Sequence, residues 1–157
     1  MSKQLCTQRD RHYVEHLQPD AVVVKLDLTN AFGTIRRDTI LEAVASSLPE
    51  ACAYVYSSSA ASSNLIFGNH VVESSEGVQQ GDPLGPLLFC LAIHPLLTEC
   101  TSELRIGYLD DITLGGETLS VANEIVRLRD GAAEMGLFLN ERKCEVIAPV
   151  SISPLPT

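Results

Sequence analysis

Val22-Val23-Val24-Lys25-Leu26-Asp27-Leu28 is rich in β-branched side chains and reads as a strand. With a period of two, Val22, Val24, Leu26 and Leu28 share one face, and Val23, Lys25 and Asp27 share the other. The first face is core, and the second brings a carboxylate to the strand's end. Before it, Arg9 to Leu17 reads as a short helix stopped by Gln18-Pro19-Asp20. After it, Asp38 is placed to cap a helix with Ile40, Leu41, Val44 and Ala45 on one side. Pro49 suits the first turn of another helix spanning Ala51 to Tyr56, and the small polar stretch Ser57 to Ser63 reads as a loop.

Further on, Asn64–Phe67 and His70–Glu73 flank Gly68-Asn69, a hairpin signal. Gly81-Asp82-Pro83-Leu84-Gly85-Pro86 is a breaker-rich loop. Leu87 to Leu97 follows as a helix apolar on nearly every face, so burial is expected, with Pro95 kinking or ending it. Leu104–Leu109 and Ile112–Leu114 are short strands around Asp110-Asp111. Thr118 is placed to cap a helix from Leu119 to Met135, with Gly136 at its exit. Leu137–Leu139 and Cys144–Ile147 read as last strands. This order predicts an α+β fold, an antiparallel sheet with helices on one face and a ferredoxin-like (RRM-like) core. Residues 1–20 are a helical lead-in, 21–148 the folded unit and 149–157 a Pro-rich tail.

At 157 residues, 45% hydrophobic and 20% charged, the chain has one domain's worth of sequence and is too apolar for disorder. Its formal charge of −9 speaks against a stand-alone nucleic-acid binder, because that affinity comes mostly from Lys and Arg neutralising phosphates. No apolar run approaches the ~18 residues of a membrane span, and the polar N-terminus lacks a signal core. Five cysteines with no C-x-x-C pair fit an intracellular, reduced protein. His12 and His16 stand four apart on the first helix, but no Cys or Glu cluster completes a four-ligand zinc site beside them.

The chemistry gathers in three carboxylates. Adjacent Asp110 and Asp111 repel one another, a poor choice for the stability of a tight turn. Flanked by Ile106-Gly107 and Ile112-Thr113-Leu114, the acidic tip is aimed from a core hairpin. If the strand of Asp27 lies beside it, the acids converge, with Asp27 expected beside Asp110, and need cations. Oxygen-only ligands select Mg²⁺ or Mn²⁺, and two such ions about 3.5–4 Å apart serve phosphoryl transfer.

Four segments then resemble, in order, the motifs of reverse transcriptases. Val24-Lys25-Leu26-Asp27-Leu28-Thr29-Asn30-Ala31-Phe32 is similar to motif A, and the stretch from Gly77 to Phe89, with Gln79-Gln80-Gly81, to motif B. Tyr108-Leu109-Asp110-Asp111 resembles the Y-x-D-D box of motif C, and Gly136 to Glu145 resembles motif D. The wording is most similar to the non-LTR, LINE-type retrotransposon branch. The resemblance implies a polymerase palm and RNA-directed DNA polymerase activity. It implies Asp27, Asp110 and Asp111 as ligands of two Mg²⁺ (or Mn²⁺) ions, with Asp111 the least direct, and Lys143 beside the leaving pyrophosphate. Leu28, Phe32, Gln80, Gly81 and Tyr108 would contact the dNTP. Phe32 would be the aromatic gate that excludes a ribose 2′-hydroxyl. An RNA template and a DNA primer are the implied partners, with no membrane.

Segments for the family's fingers and thumb are not recognised before Arg9 or after Ile147, so the palm alone is expected, with weak duplex binding. Arg36 and Arg37 are placed to touch a phosphate, to face solvent or to pair with acids. The alternative function is a non-catalytic or degenerate palm-fold remnant that acts at most as a binding module. A nucleotide cyclase is a third reading, but Gly115-Gly116-Glu117 follows the Asp-Asp hairpin instead of forming its turn. Asp27-Leu28-Thr29 lacks the Asp-Thr-Gly loop of an aspartic protease.

Overall fold

The structure is a computed structural model that describes residues 8–59, 61–79 and 81–149. In chain order it runs α1 (Gln8–Glu15), β1 (Ala21–Asp27), α2 (Ala31–Thr34), α3 (Arg37–Ser47), a 3₁₀ turn (Pro49–Ala51), α4 (Cys52–Ser59), β2 (Ser63–Phe67) and β3 (His70–Ser74). It continues with α5 (Gly85–Thr98), β4 (Leu104–Tyr108), β5 (Asp111–Glu117), α6 (Thr118–Glu134) and β6 (Glu145–Ile147). The main sheet has the order β4-β5-β1-β6 with antiparallel pairs, and β2-β3 is a separate hairpin. The α+β, palm-type architecture expected from the sequence is the one observed, except that α1 lies on the face opposite the other helices.

The central strand β1 is apolar enough to be covered on both sides. Val24, Leu26 and Leu28 enter the main core with Leu88, Phe89 and Ile93 of α5 and Val121 and Leu128 of α6. The opposite face is also largely closed at its start, with Val23 and Leu104 buried. There α1 lies against the sheet: a Cβ at Gly115 would stand 3.0 Å from a Tyr13 ring carbon. Tyr13 Oη donates a 2.8 Å hydrogen bond to Glu103. Burial, then that acid, raises the phenol to about 12. Among the described residues no helix is long and apolar enough to cross a membrane.

Several local expectations are corrected. Arg36, in extended conformation, precedes α3, while Asp38 lies in its first turn and accepts the Thr39 N–H. The Ser57–Ser63 stretch is not all loop: α4 runs to Ser59, and the hydroxyls of Ser57 and Ser58 donate to the carbonyls of Tyr54 and Val55 one turn back. Helix α5 buries Leu88, Phe89, Ala92 and Ile93 but exposes Leu87 and His94, so one stripe is buried and the other sides are not. It continues through Pro95 to Thr98. Glu117, not Thr118, caps α6 by accepting the N–H groups of Leu119 and Ser120 at 3.0 and 2.8 Å. Leu137–Leu139 forms only an isolated bridge, Leu139 to Leu28. The short helix α2 had no sequence signal beyond Asn30, which takes a left-handed φ of 46° before it.

Two buried charged groups tie loops to this frame. The Arg37 guanidinium, expected at a phosphate, in solvent or on an acid, is instead buried. It donates to the carbonyls of Gly77, Ala61 and Glu76 and to Ser74 Oγ. Exposed Arg36 pairs with Asp38. The Glu124 carboxylate of α6, 4% exposed, accepts from the backbone and hydroxyl groups of both Thr101 and Ser102, just before β4. Burial pushes its carboxyl up, but the hydrogen bonds from Ser102 and Thr101 together outweigh burial and hold it below the ordinary value.

Candidate active site

Asp27 ends β1, and the antiparallel register sets Asp111 directly across from it. Paired residues in such a ladder project to the same face, so both carboxylates leave the sheet on one side. Facing like charges destabilise a sheet unless cations offset them. Lys143 supplies one, with Nζ 3.5 Å from Asp27 Oδ1. The acid's side chain is only 15% exposed and the lysine's 58%.

Backbone hydrogen bonds explain how a residue so distant in sequence arrives there. Thr29 donates to the Phe138 carbonyl and Asn140 donates to the Asp27 carbonyl, both at 2.8 Å. Lys143 and Cys144 donate back to the Asn140 carbonyl, and the chain then returns along β1 as β6. Lys25, 7% exposed, stands two residues before Asp27 on the same face, with Glu145 as its partner across β6. These two residues line the same small cleft as Asp27, Asp111 and Lys143. Neither was singled out as a site residue in the sequence, although alternation along β1 already puts Lys25 beside Asp27.

The hairpin turn is Leu109-Asp110, so Asp111 is the first residue of β5 instead of part of the turn. Leu109 has φ 57°, a left-handed backbone that costs a branched side chain of order 1–3 kcal/mol. Asp110 is half-buried at the turn and Tyr108 is 64% exposed. Asp27, Asp110 and Asp111 do not gather their ligand atoms within 4.8 Å of one another. Ligands spread around two ions need not meet that spacing, which describes a single coordination sphere.

A second cleft, of about 330 Å³, opens beside α2. Phe32, Asn30 and Gly33 form one wall, and Val78, Gln79, Gly81 and Asp82 the other. Backbone bonds join the walls: Gly77 N–H to the Ile35 carbonyl at 2.8 Å and Val78 N–H to the Phe32 carbonyl at 2.9 Å. The Phe32 ring is half-buried and stacks on Phe89 at 4.5 Å, so it both packs and lines the cleft. Gly81 has φ 87°, and a Cβ there would meet nothing within 4 Å. Backbone conformation, not crowding, calls for glycine there. Leu28 is 4% exposed, with its side chain in the core. Gln80 lies outside the described residues.

The chain matches the family model described as "Reverse transcriptase (RNA-dependent DNA polymerase)" over residues 1–153. It is 27% identical over 150 residues to the Retrovirus-related Pol polyprotein from type-1 retrotransposable element R2 of Popillia japonica, covering 83% of this chain and 25% of that one. The polyprotein of the same description from Nasonia vitripennis is 33% identical over 142 residues, covering 80% of this chain and 14% of that one. The chain thus spans a quarter or less of the length of these relatives. Among solved structures, apo telomerase from Candida tropicalis superposes with a TM-score of 0.70 at 12% identity, covering 91% of this chain and 31% of that chain. Telomerase from Candida albicans in complex with a TWJ fragment of telomeric RNA gives 0.67 at 11%, covering 93% and 30%. These structural likenesses speak to the fold, and the match along almost the whole sequence speaks to descent: the chain belongs to the reverse transcriptase family, on the side of the LINE-type retrotransposon enzymes.

Proposed function

We propose that this chain is the palm of an RNA-directed DNA polymerase that joins a dNTP to a primer 3′-hydroxyl by two-metal chemistry. The observation that carries the reading is the opposition of Asp27 and Asp111 on adjacent strands, with Lys143 beside Asp27. An all-oxygen donor set suits Mg²⁺ or Mn²⁺. Asp27, Asp111 and the neighbouring Asp110 would hold two ions. Bound there, the ions lower the pKa of the attacking hydroxyl and neutralise triphosphate charge.

The other roles belong to this chain's own side chains. Lys143 offsets charge that develops on the leaving pyrophosphate or donates a proton to it. Phe32 fills the space a ribose 2′-hydroxyl needs. Gly81, Gln80, Tyr108 and the Leu28 backbone contact the nucleotide. An RNA template and a DNA primer are the partners, held with fingers and thumb segments of a longer polyprotein in an intracellular setting. The relatives' descriptions as retrotransposon polyproteins and the RNA fragment in the telomerase complex support this reading.

The test is primer extension on RNA by this chain joined to fingers and thumb segments of a relative, with Mg²⁺ or Mn²⁺. Extension is expected in the parent, loss in Asp27→Asn and Asp111→Asn, and slowing in Lys143→Ala. Extension that survives both aspartate changes overturns the proposal.

A further inference from the structure

We infer that the exposed face of α1 binds a first-row divalent cation of the Zn²⁺ class through His12, Glu15 and His16. Among the described residues these three form the one group of His, Cys, Asp or Glu whose ligand atoms all lie within 4.8 Å of one another. His12 and Glu15 lie on α1, and His16 follows in the turn that continues it, so spacings of three and four keep all three on one side. All three are exposed, while Tyr13, Val14 and Leu17 are half-buried. The contact of Tyr13 with Gly115 and Glu103 fixes the rotation of the helix, so the ligand face is held toward solvent.

The second observation concerns the proton on His16. Its Nδ1 lies 2.9 Å from the His12 carbonyl oxygen. A carbonyl only accepts, so Nδ1 carries the hydrogen, and in the neutral imidazole that leaves the lone pair a metal needs on Nε2. Such a bond to a carbonyl is also how metal-ligating histidines are commonly oriented. The two imidazole rings are 4.5 Å apart and tilted by 48°, separate enough to approach one ion from two sides. Two imidazoles and one carboxylate suit Zn²⁺ and its neighbours and leave a position open, whereas Mg²⁺ prefers oxygen alone. This site is chemically distinct from the aspartate cleft and does not rest on the polymerase reading.

The probe is Zn²⁺ alone, titrated calorimetrically into the full chain with its cysteines alkylated and Mg²⁺ in excess. Co²⁺ serves as the spectroscopic substitute. One equivalent is expected to bind, with a Co²⁺ spectrum lacking thiolate charge transfer and a gain of helical circular dichroism. His16→Ala and His12→Ala should each weaken binding by more than about tenfold. Asp27→Asn and Asp111→Asn should leave it unchanged, so loss of polymerase chemistry and loss of this site are separable. No Zn²⁺ binding, or binding that persists in the His12→Ala/His16→Ala double variant, overturns the inference.

Discussion

The aspartate cleft and the Phe32 cleft are built on opposite plans. In the first, Asp27 and Asp111 meet because they are partners in a seven-residue ladder between β1 and β5. Every backbone bond of that ladder supports the same register. In the second, Phe32 and Gly81 line one cleft because the loop before Gly81 is tied to the α2 region by a few single bonds and by the buried Arg37. A ladder tolerates loss of one contact; a tied loop depends on each tie. Under the proposed function, the paired aspartates that would hold the ions sit on the ladder, and the ring that would discriminate by shape sits beside the loop.

Four changes would break or sharpen this contrast. Asp27→Asn should cost the extension assay at least about a hundredfold in rate, with the fold intact by circular dichroism, because the ladder does not need the charge. Arg37→Leu removes four hydrogen bonds, one of them to the buried Gly77, and should destabilise the chain by about 2 kcal/mol in urea unfolding, near 30-fold in the folded ratio. Hydrogen exchange should rise at Gly77 and Val78 before it rises in β1. Phe32→Leu should raise ribonucleotide use relative to deoxyribonucleotide use by about tenfold, leaving the metal requirement unchanged. Glu124→Gln should cost about 1 kcal/mol near neutral pH. Its carboxyl is held below the ordinary glutamate range, so the native chain keeps this contribution above that range and loses it as pH falls through the lowered value. The glutamine variant should therefore lose less stability than the native chain when unfolding is followed from pH 6 to 3.

The β-branched run made β1 legible as a strand, but not which face is core, because Val23 and Lys25 are buried along with Val24 and Leu26. The three acids stand out in the sequence, but the expected neighbour of Asp27 is Asp110, and the register sets Asp111 across from it. Whether Asp110 or Asp111 faces Asp27 depends on where the turn falls, and that depends on Leu109 taking a left-handed backbone no pattern predicts. Arg37 was unreadable for a different reason: its acceptors are carbonyls some 24 to 40 positions away. Carbonyls belong to every residue and leave no mark in a sequence. The end of α4 was missed because serine is a weak helix former, and only the observed bonds to the preceding turn show the helix going on.

The strand register also bears on how such a gene decays. In a ladder of period two, a shift of one position turns every following side chain to the other face. Missense drift at Leu114 or Ile112 would erode the core by degrees while Asp111 stayed across from Asp27. A single codon gained or lost within Ile112–Leu114 must be taken up by a bulge or by a one-position slip, and a slip separates the acids although no acidic codon has changed. A codon gained near Ala61, between α4 and β2, would shift nothing in that ladder. A reading frame can therefore keep all three aspartates and still lose the facing of Asp27 and Asp111, so under the proposed function the length of β5 matters as well as its acids.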